Sequence, residues 1–480
     1  MRYTVAEIAK GMGAKILRGD AERTVCRWTF SSKDGDADTM FVPMKGERVD
    51  AHDFIADAYK NGMRVTTTER GEIVPGTDGM TYLAVSDARA SWQRLGAYFR
   101  DCRASVPMIA VTGSVGKTTT KEMVALALSP IGRVLRTEGN RNGQLGVPQM
   151  MAELSDDTDA AVIEMGMSMP EEMGRIAVVA KPQFAVITNI GVSHIGNLGS
   201  QEAIRREKLA VVNGMAEGGV LLVNGDDPLL RVLCPDCPDY NGTDDILMYG
   251  RTREVWPLLT VVAYGSEPWC RYRYENEVLT EHEASFTYVS EDLRCEVSLP
   301  VTGHHYTSNA TAALAAAELF DVSVRDAADA LGTYRPMAMR GVREELPGGI
   351  TLIDDTYNAS PDSMRSGLDV LCAVKAARHI AVLADILELG ELSGECHRRV
   401  GKYVAERPVD ILITIGTEAV AIADEASKGR CTVLRAATRE EGSEKLFGIL
   451  RKGDAVLLKG SRGMGLDVIA NKLREREITE

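Results

Sequence analysis

The sequence predicts an α/β protein of three domains: a small N-terminal α/β domain, a central P-loop domain with an ATPase-like parallel sheet, and a C-terminal Rossmann-like doubly wound domain. Three observations support this prediction. The chain has 480 residues, more than one hydrophobic core usually holds. Apolar runs alternate with helical patterns, as in parallel sheets. A second such series begins after Pro336. We therefore expect domains at residues 1–100, 101–334 and 335–480.

The first elements follow in chain order. Up to about residue 100, short strands and helices with polar turns indicate the small α/β unit. From residue 107, PMIAVTG predicts a buried strand that runs into a glycine turn, and TTTKEMVALALS predicts the helix that follows. Apolar runs that each end in a polar or glycine-containing turn predict three more strands, within DAAVIEMGM, QFAVITNIG and GVLLVNGDD.

The second half of the chain changes pattern twice. Residues 246–300 show β-rich alternation, which predicts an antiparallel edge of the sheet, and TSNATAALAAAELF predicts a helix. Four apolar runs then predict the strands of a separate doubly wound domain, within GITLIDD, HIAVLAD, DILITIG and DAVLLKG.

Composition and charge exclude several classes of function. The chain is 45% hydrophobic and 26% charged, as globular proteins are, and no run approaches the roughly 18 apolar residues of a membrane span. The first residues interrupt their apolar positions with Lys and Glu, unlike a signal peptide, so we expect a cytoplasmic protein. A net charge of -14 argues against nucleic-acid binding.

Nine cysteines, an odd number spread thinly along the chain, indicate reduced thiols rather than a disulfide framework. Cys234 and Cys237 form the one close pair. Because this pair lacks a second pair or a nearby histidine, its spacing favours a turn over a zinc or redox site.

The run AVTGSVGKTTT, residues 110–120, predicts a phosphate-binding loop of unusual form. Val111 stands where the pattern G-x-x-x-x-G-K-[ST] has its first glycine. The run lies between a buried strand and a helix, so backbone N–H groups and the helix dipole would converge on a phosphate. Lys117 adds a positive charge, and Thr118 offers a hydroxyl to Mg²⁺.

This loop and six further segments resemble, in order, the motifs of the Mur ligases, ATP-dependent enzymes that build the peptidoglycan precursor peptide. The family loop has the shorter form T-G-x-x-G-K-T-T, which accounts for Val111. The last two segments are most similar to the branch that adds D-alanyl-D-alanine to UDP-N-acetylmuramoyl-tripeptide. The six segments are EGNRNGQLGVP (138–148), IEMGM (163–167), ITNIGVSHIGNLGS (187–200), GHHYTSNATAALAA (303–316), LIDDTYNASPDSM (352–364) and LLKGSRGMGL (457–466).

The resemblance implies ATP and two Mg²⁺ ions as cofactors. It implies catalytic roles for Lys117, Glu164, His194 and Lys208, and a metal-ligand set of Thr118, Glu164, His194 and Lys208. Lys208 would be carbamylated by CO₂, which turns an ammonium into an oxygen donor for Mg²⁺. A lone glutamate at a strand end is more often solvated, but the adjacent phosphate loop favours a metal ligand at Glu164. Without the resemblance, we would expect His194 to be a structural hydrogen-bonder and Lys208 to lie on the surface.

The resemblance also implies that two domains bind ATP, so that domain closure would complete the site. Asn309, expected at a helix start where it could also be a cap, would contact the nucleotide, and Tyr357 would lie near the adenine. Arg340 would reach the phosphates and Asp355 the ribose. The full expected set is Thr112, Gly113, Ser114, Val115, Gly116, Lys117, Thr118, Thr119, Asn309, Arg340, Asp355 and Asn358.

The substrates implied are UDP-N-acetylmuramoyl-tripeptide and D-alanyl-D-alanine, and a monomer is expected. Ser31 would lie at the uridine diphosphate end. Asp385, Lys459 and Arg462 would act in dipeptide binding or domain closure, or equally could be solvated charges at strand-end turns. With Asn140 and Asn142 these four complete the expected substrate-binding set.

Four positions differ from the family pattern: Ser31, Tyr306, Ser360 and Ala384. They affect the expected contacts to the nucleotide sugar and the acceptor more than the ATP chemistry. Three alternatives stay open from the sequence: a Mur-type ligase that adds a different amino acid or peptide, a P-loop NTPase that acts as a switch, and an inactive homologue that only binds.

Overall fold

The computed structural model describes residues 1–46, 48–240, 255–291 and 293–475. Its strands form three large sheets and one two-stranded pair. The α/β prediction with three sheet-based units is therefore confirmed. Of the β-rich run expected at 246–300, residues 246–254 and 292 lie outside the described residues. No helix in the described ranges has both the length and the apolar character needed to cross a membrane.

The N-terminal unit is a five-stranded sheet in the order β2-β7-β6-β5-β4, beside the antiparallel pair β1 and β3. Thr4 and Glu7 form a capping box that begins the first helix. The strands are β1 Tyr3–Thr4, β2 Lys15–Arg18, β3 Thr24–Val25, β4 Arg27–Thr29, β5 Thr39–Phe41, β6 Val65–Thr68 and β7 Thr81–Ala84, and the helices are α1 Val5–Met12, α2 Ile55–Lys60 and α3 Ala88–Asp101.

The central unit is a nine-stranded sheet in the order β16-β15-β14-β13-β12-β11-β8-β10-β9. Strands β8 to β13 pair in parallel, and β8 and β10 are fully buried, whereas β15 pairs antiparallel with both β14 and β16, which confirms the expected antiparallel edge. The strands are β8 Met108–Thr112, β9 Val134–Arg136, β10 Ala160–Glu164, β11 Phe184–Ile187, β12 Val220–Asn224, β13 Thr260–Gly265, β14 Tyr272–Leu279, β15 Ala284–Val289 and β16 Arg294–Leu299.

The helices of the central unit cover both faces of its sheet. The alanine-rich helix α9 is buried over most of its length and packs on α4, because its small side chains allow close approach. It begins at His304, three residues before the expected run. The helices are α4 Lys117–Ala127, α5 Gly146–Met151, α6 Glu172–Ala180, α7 Ile195–Leu198, α8 Gln201–Leu209, α9 His304–Leu319 and α10 Val324–Leu331.

The C-terminal unit is a six-stranded sheet in the order β17-β18-β22-β19-β20-β21, parallel except for β17. The sequence predicted only its four central strands. The two edge strands are partly exposed and lack a continuous apolar run, so the pattern did not reveal them. The strands are β17 Val342–Leu346, β18 Ile350–Asp355, β19 Arg378–Ala384, β20 Ile411–Ile415, β21 Thr432–Ala436 and β22 Asp454–Lys459, and the helices are α11 Pro361–Ala373, α12 Ser393–Ala405, α13 Val420–Ala426, α14 Arg439–Ile449 and α15 Asp467–Glu475.

The N-terminal unit packs tightly against the central one. The Trp92 indole donates a hydrogen bond of 2.9 Å to the Leu145 carbonyl, and the buried Arg100 donates to the Ala180 carbonyl at 2.8 Å. One cluster of buried apolar side chains runs from the N-terminal unit through the central one to the C-terminal one. The sheets are therefore held together by shared apolar surface.

Candidate active site

A cavity of about 1360 Å³ lies between the central and C-terminal sheets. The carboxyl ends of β8, β10 and β11 face it from one side, and the end of β18 faces it from the other. Open α/β sheets bind ligands at this edge. Pockets for drug-sized ligands have volumes of roughly 300–1,000 Å³, so this cavity has room for a nucleotide and part of a second substrate.

The phosphate loop connects β8 to α4. Gly113 has φ 147°, and a Cβ there would lie 1.8 Å from the Thr188 hydroxyl oxygen, so no larger residue fits. The end of β11 holds the loop: Ser114 N–H donates to the Asn189 carbonyl at 3.0 Å, and Val115 N–H donates to the Asn189 side-chain oxygen at 2.9 Å. The N–H groups of the first turn of α4 lack intrahelical partners, so these groups are the donors suited to a phosphate.

Lys117, the first residue of α4, lies at the floor of the cavity. Its Nζ donates to the carbonyls of Gly113 at 2.9 Å and Ser114 at 3.3 Å. Burial lowers the pKa of Lys117, while nearby Glu164 raises it and Arg340 lowers it. A lysine between loop carbonyls and a carboxylate is placed to contact the oxygens of a bound phosphate.

Glu164 ends β10 and is 2% exposed, so the solvated position considered from the sequence is wrong. Its Oε1 accepts a hydrogen bond of 2.7 Å from the Asn142 amide, while its buried Oε2 has no hydrogen-bond partner among the described residues. A buried carboxylate oxygen without a partner is costly. This oxygen, with the buried hydroxyl residue Thr118 across the loop, suits a hard cation such as Mg²⁺.

Within the described ranges, no group of three or more His, Cys, Asp or Glu side chains could hold a metal ion by itself.

Lys208 on α8 lies behind the phosphate loop and is 2% exposed, so the surface position expected without the resemblance is wrong. Its Nζ donates to the Gly113 carbonyl at 2.9 Å. Burial, and then the charge of Lys117, lower the pKa of Lys208 well below its ordinary value. The neutral amine that this favours is the form that reacts with CO₂.

Glu207, beside Lys208, has a separate structural role. Its carboxylate accepts hydrogen bonds of 2.9 Å from the backbone N–H groups of Glu171 and Met173, at the start of α6. This contact fixes α8 against α6, because a carboxylate at a helix N-terminus is favourable. It thereby also fixes the backbone that carries Lys208.

His194 lines the cavity in the loop after β11. Its backbone has φ 65°, and its Nδ1 lies 2.5 Å from the Glu388 carboxylate of the C-terminal unit. Burial lowers the pKa of His194, and Glu388 opposes this. Sequence reasoning missed Glu388, although it follows strand β19 just as His194 follows β11, and that position was the available signal.

The C-terminal wall of the cavity is built around Arg340 and Asp355. The Arg340 guanidinium lies 3.9 Å from the centre of the Tyr357 ring. The Asp355 carboxylate pairs with Lys459 at 2.5 Å, and the same ammonium donates to the Asn358 carbonyl at 3.2 Å. Lys459 therefore lies with the residues expected to bind the nucleotide, whereas the sequence had grouped it with those for the dipeptide.

Asn309 lies within α9 and not at its start as expected. The helix begins after Gly303, so Asn309 is one turn and more inside it and cannot act as its cap. Its side-chain oxygen accepts a hydrogen bond of 3.0 Å from Thr120 of α4. A Cβ on Gly116 would lie 3.3 Å from the same oxygen, so Asn309 closely flanks the phosphate loop.

Most of the remaining expected residues fall into three groups. Val115, Thr119, Asn140 and Asn142 line the cavity, while Thr112 and Gly113 lie behind it. Ser31, Asp385 and Arg462 are not brought to it. Ser31 accepts from the N–H of Lys33 in the N-terminal unit, Asp385 accepts from the N–H groups of Thr417 and Ala419, and Arg462 pairs with Asp467 at 3.3 Å.

Comparison with known proteins gives matches along the whole chain. The family model described as "Mur ligase middle domain" matches residues 111–317, and that described as "Mur ligase, glutamate ligase domain" matches residues 339–462. The UDP-N-acetylmuramoyl-tripeptide–D-alanyl-D-alanine ligase of Bacillus subtilis (strain 168) is 31% identical over 484 residues, covering 100% of both chains.

Two further relatives agree with these matches. The ligase of the same name from Escherichia coli (strain K12) is 28% identical, covering 96% of this chain and 97% of that one. A crystal structure of MurF from Acinetobacter baumannii superposes with a TM-score of 0.88 at 29% identity, covering 99% of each chain.

Proposed function

This chain belongs to the Mur ligase family, and we propose that it joins D-alanyl-D-alanine to UDP-N-acetylmuramoyl-tripeptide in an ATP-dependent reaction. The product is the pentapeptide precursor of peptidoglycan. The observation that carries the proposal is that the phosphate loop, Glu164, His194 and the Arg340–Asp355 wall line one cavity, in a chain that matches such a ligase from end to end.

In this proposal, ATP binds between the central unit and the C-terminal unit. The first turn of α4 and Lys117 hold the phosphates, with Thr112, Ser114 and Gly116 shaping the loop. Arg340 reaches the phosphates from the C-terminal unit, and Asp355, fixed by Lys459, accepts from the ribose hydroxyls. Asn309 and Asn358 flank the nucleotide. The distances that support this arrangement are those of Lys117 to the loop and of Lys459 to Asp355.

Two Mg²⁺ ions are part of the proposal. Thr118 and Glu164 would hold one, and His194 and a carbamylated Lys208 the other; the partnerless Oε2 of Glu164 and the depressed pKa of Lys208 support this set. Bound there, Mg²⁺ would offset the repulsion between anionic reactants and stabilise charge on the transferred phosphoryl group.

The reaction has two covalent steps. A carboxylate oxygen of the tripeptide attacks the γ-phosphorus of ATP, and ADP leaves, which produces an acyl phosphate. The neutral amine of D-alanyl-D-alanine then attacks the acyl carbon, inorganic phosphate leaves, and the nitrogen loses a proton. Lys117 stabilises the negative charge on the phosphoryl oxygens, and the cavity between the units excludes water that would hydrolyse the acyl phosphate.

The three units have separate substrates in this scheme. We propose that residues 1–100 hold the uridine nucleotide with Ser31, that residues 101–334 hold the ATP phosphates and the tripeptide end near Asn140 and Asn142, and that residues 335–480 hold the dipeptide. Asp385 and Arg462 would act there by supporting the turns around the dipeptide. We propose that the protein is a monomer and that it acts in the cytoplasm, where UDP-linked substrates and ATP are both present.

Phosphate release by the purified protein tests the proposal. The protein is incubated with Mg²⁺-ATP and UDP-N-acetylmuramoyl-tripeptide, with and without D-alanyl-D-alanine, and the products are analysed by mass spectrometry. Release that requires the dipeptide, together with the pentapeptide mass, is expected. Release that responds to single amino acids instead would assign a different acceptor, and release without any acceptor would indicate an NTPase.

A further inference from the structure

Two loops from different units meet at His194 and Glu388. The first loop follows β11 of the central sheet and the second follows β19 of the C-terminal sheet. Their side chains pair through His194 Nδ1 and Glu388 Oε2 at 2.5 Å, and the Gly196 N–H donates to the Glu388 carbonyl at 3.0 Å. Backbone and side chain of the same glutamate are thus both engaged across the interface.

The backbone of both loops is specialised for this contact. His194 and Glu388 each have φ 65°, a left-handed conformation that L residues other than glycine rarely adopt. Two glycines also meet there: a Cβ on Gly390 would lie 2.9 Å from the Gly196 Cα, and a Cβ on Gly196 would lie 2.9 Å from the Gly390 N. The loops can therefore approach this closely only because neither glycine has a side chain.

The pairing determines which nitrogen of His194 carries the proton. An ionised carboxylate can only accept hydrogen bonds, so Nδ1 of a neutral His194 must be the donor to Glu388. The lone pair is then on Nε2, the nitrogen that Glu388 does not contact. A carboxylate behind a metal-binding histidine commonly fixes its tautomer and orientation in this way.

We propose that Glu388 is a positioning residue of the ligase reaction: it holds His194 in the Nδ1–H tautomer, and it does so only while the C-terminal unit is docked on the central one. The inference rests on the proposed function, in which His194 is a ligand of the second Mg²⁺. Because Glu388 belongs to the C-terminal unit, the histidine is fully oriented only in the domain arrangement that also brings Arg340 and Asp355 to the nucleotide.

The first test observes the histidine directly and needs no substrate. The protein is labelled with ¹⁵N in its histidine rings, and His194 is assigned by its loss in His194→Gln. In the wild type we expect the ¹⁵N shifts of an Nδ1–H tautomer. In Glu388→Ala we expect these shifts to change to the averaged values of an imidazole that exchanges between its two tautomers. Glu388 is half exposed, with 53% of its side chain accessible, so its replacement leaves the core intact.

The matched control is Glu391→Ala, which removes the same charge from an exposed position three residues along the same loop. Its His194 signals should match those of the wild type. Gly390→Ala should also disrupt the contact between the two loops, because it forces a methyl group toward Gly196. Its control is Gly448→Ala, since a Cβ at Gly448 meets no atom within 4 Å. Unchanged His194 signals in Glu388→Ala and Gly390→Ala would overturn the pairing.

The second test separates positioning from a purely structural role. In Glu388→Ala we expect kcat to fall about 10- to 100-fold, the usual effect of losing a carboxylate behind a metal-binding histidine, with an unchanged KM for ATP. Glu388→Gln, which keeps an acceptor oxygen, should recover part of kcat. Wild-type kcat in Glu388→Ala would overturn the positioning role. A wild-type protein that does not ligate the dipeptide overturns the proposed function instead, since the ¹⁵N spectra are recorded without substrate.

Discussion

Lys117 and Lys208 donate to the same carbonyl oxygen, that of Gly113, each at 2.9 Å. Burial away from water lowers the pKa of both lysines, and the charge of Lys117 lowers the pKa of Lys208 further, to well below its ordinary value. Two lysines thus share one carbonyl at the phosphate loop, and the lowered pKa of Lys208 favours its neutral amine, the form that can react as a nucleophile.

We expect Lys208→Ala to lose ligase activity by about 100-fold or more, as removal of a group that acts in the transition state does. If a carbamate is the active form, a short-chain carboxylate added to the variant should restore part of the activity. Activity of the wild type should also rise when bicarbonate is returned to CO₂-depleted buffer. Lys402→Ala, at an exposed position, is the control. Full activity of Lys208→Ala would contradict the assignment.

Glu164→Gln should lower activity and raise the stability of the nucleotide-free protein. The carboxylate is buried with one oxygen partnerless, and a neutral amide costs less to bury than a charge. Thermal unfolding measures the stability, and phosphate release measures the activity. Mg²⁺ should increase the Tm shift that ADP produces in the wild type and in the exposed control Glu138→Gln, but not in Glu164→Gln. An equal Mg²⁺ effect in Glu164→Gln would place the ion elsewhere.

Lys459→Met should raise the KM for ATP and leave the KM for D-alanyl-D-alanine unchanged, because the buried ammonium pairs with Asp355 on the nucleotide side. A hydrogen bond between charged groups contributes about 1.5–3 kcal/mol, so we expect an increase of about tenfold or more. The exposed Lys452→Met is the control. The double variant Lys459→Met/Asp355→Ala should have a KM for ATP no higher than that of Asp355→Ala alone. If Lys459→Met raised only the KM for D-alanyl-D-alanine, Lys459 would belong with the dipeptide-binding residues, as the sequence predicted.

His305 should make the protein less stable in acid. Burial lowers its pKa from 6.5 to about 4. Between these two values the unfolded chain binds more protons than the folded one, so the stability from this group is present above pH 6.5 and is lost as the pH falls toward 4. His305→Gln should therefore lose less of its free energy of unfolding than the wild type between pH 6.5 and 4, measured by urea unfolding. The control His282→Gln, at an exposed position, should lose as much free energy of unfolding as the wild type. If His305→Gln also lost as much as the wild type, His305 would not be the source of the acid sensitivity.

Much of the fold was predictable because it depends on local patterns. Buried parallel strands are continuous apolar runs, so β8, β10, β11, β18, β19, β20 and β22 could be recognised one by one. The edge strands β17 and β21 were missed because their residues are mostly only partly buried, so neither strand has a continuous apolar run. The start of α9 was placed late because its first turn, beginning at His304, is polar.

By itself, the sequence determined the phosphate loop, the strand ends that carry Glu164 and His194, and the membership of the family, since each depends on residues adjacent in the chain. Only the tertiary structure decided what those side chains contact. Lys208 is 95 residues from the carbonyl it binds, His194 is 194 residues from Glu388, and Lys459 is 104 residues from Asp355. Such pairs form when separate sheets pack together, and no local periodicity records them.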